Sequence, residues 1–514
     1  VNRQARNQIR SQRRAQRAAG ARLPQVPFGP LAHAYPPIGP LTEEQVEEIH
    51  EASLVILRDA GIEVMSRTVR ERFAREGARV DHDRGIVQVD PDLVLALVGK
   101  APSEITLTPR NPKHALHLGG NRIYFGMVSG PPNVHDRVNG RRAGNFADYQ
   151  QLIRLGQAFN AVSMFGNQAV ATTDLAVSTR HLDCYEANLL LSDKIFSAIP
   201  IGHGRVKDAV EMVAMARGLD VDGLRESPGL IANININSPR KLDEAMSDGA
   251  LALAEFGQPV IVTPFTLLGA MTPVTMAAAL VQQNAEALLG IAMVQLFYPG
   301  SPVVYGGFTS NVDMRSGAPA FGTPENAKAN LAGGQMARRY RLPYRTSACN
   351  ASNAADAQSV YETMMALWGG VMGNGNLIYH AAGWLEGGLV ASFEKVIIDV
   401  EVIQHVTQML QPIDTRPEEL GIDAICSVDP GGHFFGADHT MARYETAFYS
   451  PLLSDWQNNE NWLAAGGKDA TTRATEVWQS VLAEFEPPPI DIARQEALAD
   501  YVARRKKEIG SGEP

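Results

Sequence analysis

The feature that most constrains this chain is a rhythm. From residue 161 onward short β-rich runs recur: "AVSMFG" (161–166), "IFSAIP" (195–200), "GLIANIN" (229–235) and "PVIVT" (259–263). They continue as "SPVVYG" (301–306), "LPYRTS" (342–347), "NLIYH" (376–380) and "AICSVD" (424–429). Each run leads into a polar or Gly-rich loop and then a helical pattern, as in "DEAMSDGALALAEFG" or "TMAAALVQQNAEALLGIAMVQL". The runs do not alternate apolar with polar residues, so both of their faces must be buried. That is the pattern of a parallel sheet covered by helices. Eight strand–helix units fit a (β/α)8 TIM barrel, an α/β fold, better than a doubly wound open sheet.

On this reading the barrel spans residues 159–450, with an α+β cap at 41–158 before it and a helical extension at 451–514 after it. In the cap, "LTEEQVEEIHEASLVILRDAG" predicts a helix with Thr42 as N-cap, acids in its first turn and Gly61 at its stop. A second helix begins at "DPDLVLALV", and Asn139-Gly140 marks a hairpin within 116–144. Residues 1–40 form a basic, Pro-rich arm and linker, expected to be disordered or to drape over a subunit.

Charge separates the arm from the body. Residues 1–22 hold seven arginines and the first carboxylate is Glu43, yet the whole chain has a net charge of −10. So acidic a body makes nucleic acid an unexpected ligand. No run of 18 apolar residues predicts a membrane span. The three cysteines form no CxxC pair, which points to a reducing compartment and a cytoplasmic location.

A barrel directs attention to the carboxyl ends of its strands, where active sites lie. The predicted tips are Asn167, His203, Asn235, Pro264-Phe265, Phe308, Cys349-Asn350, His380 and Asp429. The densest loop is "HAAGWLEGGLVASFEK" (380–395), which sets His380, Trp384 and Glu386 among Gly383, Gly387 and Gly388. His380 reads either as a satisfied core histidine or as a functional group, and its place at a strand tip favours the second. Glu386 reads as catalytic or as a helix cap. In "VVYGGFTSNVDMRSGAPAFGTPE" (303–325), Tyr305 and Phe308 flank two glycines, without the spacing of a phosphate loop. "TPFTLLGAMTPVT" (263–275) offers apolar loop surface at the mouth. "HFFGADH" (433–439) has no strong metal spacing, and no metal site is expected.

Several of these stretches are similar to the trimethylamine methyltransferase family: "GQPVIVTPFTLLGAMTPVT", "YGGFTSNVDMRSGAPAFGTPE", "HAAGWLEGGLVASFEK" and "HTMARYETAFYSPLLSDW". The resemblance runs over residues 40–510. It implies a (β/α)8 barrel and methyl transfer from a methylated amine to the cobalt of cobalamin carried by a separate corrinoid protein. No tightly bound cofactor of its own is implied. Family members of methanogens carry pyrrolysine in the barrel mouth, whereas this chain has only standard residues. It therefore looks like the members that demethylate quaternary amines, with glycine betaine as the type substrate.

A quaternary cation has no N–H to donate, so aromatic faces suit it. The expected cage is Tyr305, Phe308 and Trp384. A betaine carboxylate would be met first by His380, with Arg345 and Asn233 as further partners. Gly383, Gly387 and Gly388 would let a corrin ring approach the backbone closely. Assembly as a homo-oligomer, a dimer, is expected. The alternatives are demethylation of another small methylated compound, such as a sulfonium or methoxy substrate, or a non-catalytic betaine-binding protein.

Overall fold

The computed structural model describes residues 23–32 and 34–510, so the arginines of the amino-terminal arm lie outside the described residues. At its centre are eight parallel strands: β1 (Arg122–Met127), β2 (Met164–Phe165), β3 (Ile195–Phe196) and β4 (Ala232–Asn237), then β5 (Val260–Leu268), β6 (Val303–Gly306), β7 (Tyr344–Ser347) and β8 (Leu377–Ala382). Pairing follows chain order. Met164 stands opposite Gly126 and Ile195, and a single bridge from Ser197 to Ile231 links the β3 end to the β4 segment. Then β4 pairs with β5, β5 with β6, β6 with β7 and β7 with β8. The last strand returns to the first, with Leu377 opposite Tyr124.

Each strand is followed by a helix: α1 (Phe146–Ala158), α2 (Arg180–Leu191), α3 (His203–Arg217), α4 (Glu244–Glu255), α5 (Met276–Phe297), α6 (Pro324–Arg339), α7 (Ala357–Met372) and α8 (Phe393–Met409). The expected α/β alternation is present, with one substitution in the strand list. Residues 424–429 form no strand; Ile422–Cys426 is a short exposed helix. The additional strand is β1, which the sequence reading had assigned to hairpin territory. Its flanking glycines Gly119, Gly120 and Gly130 are the reason, because they imitate hairpin punctuation.

Successive strand residues point to opposite faces, and this sorts the core. Tyr124, Met164, Ile195, Ile261, Val304 and Leu377 form one inner cluster. It is closed at the amino ends by an antiparallel pair, Ile105–Leu107 with Leu116–Leu118. Burying an Ile or Leu there contributes about 1.5–3 kcal/mol, and Ile261→Ala would cost about 2–5 kcal/mol. The intervening residues face the helices. Among them α5 is long and apolar enough to cross a membrane, but most of it is buried within the protein.

The cap forms as its caps dictate. Thr42 accepts from Gln45 N–H and Gln45 reaches back, and Gly61 follows with φ +66°. The hairpin is Asn133–Asp136 with Gly140–Ala143. At the other end, α9 (Ala470–Ala483) packs on α8, while α10 (Ile492–Gly510) lies across α2 and α3. There Tyr501 and Arg505 both donate to the buried Asp208.

Candidate active site

A cavity of about 420 Å³ opens at the carboxyl ends of the strands. One wall is polar: Ser129 and Asn167 beyond β1 and β2, Ser197 beyond β3, and Asn233 and Asn235 on β4. These groups pin one another. Ser129 donates to Asn167 at 2.6 Å, Thr263 donates to Asn233 Oδ1 at 2.6 Å, and Asn233 donates to Asn235 at 2.9 Å. The opposite wall is aromatic, made of Phe265, Phe308, Tyr379, His380 and Trp384. No Asp or Glu lines this cavity among the described residues.

Arg345 carries the cavity's charge. It sits on β7 with Gly306 as its β6 neighbour, in a position that points inward, and it is only 2% exposed. Its guanidinium lies over the rings of Tyr379 (4.7 Å) and Phe308 (5.4 Å). Nε and Nη1 have no hydrogen-bond partner among the described residues. Burial lowers its pKa, but a guanidinium stays charged. A buried, unpartnered cation aimed into a cavity is costly unless a ligand completes it.

His380 lines the cavity with φ +58°, in the left-handed region that a histidine seldom adopts. Its Nδ1 stands 3.2 Å from Ser347 Oγ and 3.5 Å from Cys349 Sγ. Burial and the nearby Arg345 hold its pKa well below the ordinary value, so the ring is neutral at pH 7. Of the two, only Arg345 brings a positive charge to the cavity. Cys349, at the expected tip of β7, is buried, and burial pushes its thiol well up.

Trp384 packs its indole on His380 at 4.2 Å and donates from Nε1 to Asn350 O. Four rings meet at the mouth: Phe308 lies 5.0 Å from Phe265, 5.3 Å from Phe321 and 6.4 Å from Trp384. A smaller outer cavity of about 170 Å³ is lined by these four rings with Ser129, Gly130, Gly387 and Gly388. Phe321 is the ring that sequence reasoning missed. It arrives from the loop beyond β6, where no local pattern singles it out.

Other expectations need correction. Tyr305 lies outside the cavity, because strand alternation turns it toward the helices; its hydroxyl donates to Asn284 and its ring stacks on Tyr340. Glu386 is held by Arg141 Nε at 3.0 Å, which ties the mouth loop to the 133–143 hairpin and leaves its carboxylate off the cavity wall. Gly383 is buried in a turn against α8. Its N–H donates to Asp399, and a Cβ there would stand 2.7 Å from Val396. At Gly388, with φ +105°, a Cβ would stand 2.5 Å from the Trp384 indole, so that glycine seats the ring.

Around the mouth five loops each leave one apolar residue exposed: Val177, Ile201, Val274, Met314 and Leu389.

The trimethylamine methyltransferase (MTTB) family model matches residues 6–510. The glycine betaine methyltransferase of Desulfitobacterium hafniense (strain Y51) is 35% identical over 471 residues, covering 91% of this chain and 98% of that protein. The trimethylamine methyltransferase MttB of Desulfitobacterium hafniense (strain DSM 10664 / DCB-2) is 30% identical, over 91% and 94%. The crystal structure of the Methanosarcina barkeri monomethylamine methyltransferase aligns over 88% of this chain and 90% of that one, at 9% identity and a TM-score of 0.48. The chain belongs to the trimethylamine methyltransferase family and is a methyltransferase.

Proposed function

We propose that this member of the trimethylamine methyltransferase family takes a methyl group from a quaternary amine bearing a carboxylate, with glycine betaine as the simplest case. The acceptor would be the reduced corrinoid of a separate protein. The observation that carries the reading is Arg345, buried and unpartnered beneath a mouth of aromatic rings. A betaine presents both complements on one small molecule. Its carboxylate would accept from one of the free donors of Arg345, Nε–H or Nη1–H, in a charge-assisted hydrogen bond. Its trimethylammonium would face Phe265, Phe308 and Trp384, each ring contributing about 0.5–2 kcal/mol.

This placement also orients the reaction. With the carboxylate held inward at Arg345, the ammonium methyls face the mouth, which fixes the reacting group before any encounter. A quaternary nitrogen leaves as a neutral amine and needs no proton, in keeping with a cavity that no carboxylic acid lines among the described residues. Neutral His380 would brace Trp384 and offer a hydrogen bond without adding charge.

A reduced corrinoid supplies a strong nucleophile for the methyl group. Its flat ring suits the exposed rim of Val177, Ile201, Val274, Met314 and Leu389, and the outer cavity beside Gly387 and Gly388. The same reading moves the (β/α)8 barrel from the expected 159–450 to residues 122–410, since Arg122–Met127 is a strand and Ile422–Cys426 is not, and takes the preceding segment as its cap and assembly with further copies of the chain.

The test is a panel of glycine betaine, tetramethylammonium and trimethylamine with free cob(I)alamin, read by the absorbance of methylcobalamin. Glycine betaine should be the best donor of the three and should yield the dimethylated amine. Transfer from trimethylamine alone would overturn the reading.

A further inference from the structure

Residues 411–450 are forty consecutive positions of which none is buried. This is no loose tail. Leu410 is buried at one root, and at the other Tyr449 donates to Glu401 while Leu453 is buried. Between the roots the arm forms short helices and joins Arg443 to Glu419. It nevertheless exposes Ile413 (85%), Phe435 (81%) and Phe448 (83%), with Ile422, Ile425 and Met441 more than half exposed. Together these leave on the order of 600 Å² of apolar side chain in water. These side chains are spread along the arm from Ile413 to Phe448.

A second uncovered surface lies on α7, the helix next to the one from which the arm departs. Tyr361, Met365 and Trp368 follow helical spacing and share one face, and all three are exposed. Two apolar surfaces of one chain that no described residue covers, one on the arm and one on α7, are what a two-fold pair needs, each copy covering the other's.

We propose that the 411–450 arm is an exchange arm, laid by each copy of this chain over the α7 face of a second copy. The area supports that occupant: about 600 Å² from the arm, enlarged by the α7 face, approaches the roughly 800 Å² per partner of a standard interface. The alternatives fit less well. Seven carboxylates against two arginines in the arm disfavour an anionic membrane. A carrier protein must reach the mouth, but the arm leaves α8 at the opposite end. There α8 ends beside Phe28, which packs on the inner cluster that the 105–118 pair closes. The inference is independent of the methyl-transfer reading.

The test uses the full chain in sedimentation velocity at about 10 µM. Wild type should sediment at a multiple of the chain mass. Both F435E/F448E in the arm and W368E on α7 should halve that mass while keeping methyl transfer to free cobalamin within about twofold. Trypsin gives a second readout that needs no variant: cleavage at Arg416 and Arg443 should be slow at 50 µM and faster by tenfold or more at 0.1 µM. A monomeric wild type, an assembly unchanged by either variant, or cleavage independent of concentration would each overturn the proposal.

Discussion

Replacing Arg345 by methionine should move binding and stability in opposite directions. Arg345 is 2% exposed, and two of its nitrogens have no partner among the described residues. In the unliganded state that desolvated, incompletely paired group costs about 1–3 kcal/mol. R345M fills much the same volume without the charge, so its melting temperature should rise by a few degrees. Toward glycine betaine the effect reverses. The lower bound on the loss is one charge-assisted hydrogen bond, about 1.5 kcal/mol. The upper bound is a carboxylate left buried without its partner, about 5 kcal/mol. At 1.4 kcal/mol per decade, the dissociation constant should weaken roughly ten- to several-thousandfold. Calorimetric titration without corrinoid measures this directly, and tetramethylammonium serves as the control that should bind R345M no worse than wild type. Equal weakening toward both ligands, or a lowered melting temperature with betaine affinity intact, would refute the anchoring role.

Trp384→Ala should weaken every quaternary ligand alike by about 0.5–2 kcal/mol, since it removes a face that meets only the cation; parallel titrations of betaine and tetramethylammonium check this. Gly388→Ala should act in the same direction at a distance, by displacing the Trp384 indole, and its tryptophan fluorescence should shift with the loss of affinity. Tyr305→Phe should leave methyl transfer unchanged and cost about 1 kcal/mol of stability through the bond to Asn284. His380 titrates well below 6.5 when folded but near 6.5 when unfolded. The unfolded state thus binds the extra proton first, and stability falls as pH drops below about 6.5, by up to ~1.4 kcal/mol per pH unit. His380→Leu should flatten that slope in melting curves between pH 7.5 and 5.5.

The parallel architecture was legible because "PVIVT", "SPVVYG" and "LPYRTS" are continuous buried runs bounded by loops and helices. Strand β1 escaped notice because its glycines imitate a hairpin, and with it went Ser129 and Gly130 on the cavity wall. The site was legible as a place but not as a set of side chains. Phe308, Trp384 and His380 follow from strand ends alone. Choosing Arg345 over Tyr305 requires strand register: Gly306 faces the interior beside Arg345, which turns Tyr305 outward. Register is a tertiary fact that short buried runs leave open. Glu386 misled for a related reason, since its partner Arg141 lies on a hairpin far away in sequence.

The antiparallel pair Ile105–Leu107 and Leu116–Leu118 covers the inner cluster at the amino ends of the strands, which would make a barrel closed on these strands a cul-de-sac. On the proposed reading, small molecules and the methyl acceptor share its single entrance, so traffic must queue. The amine has to enter before the carrier docks, and the demethylated product waits behind the carrier until it departs. Turnover would then obey a compulsory order, with excess carrier slowing the reaction by blocking the door to the next substrate.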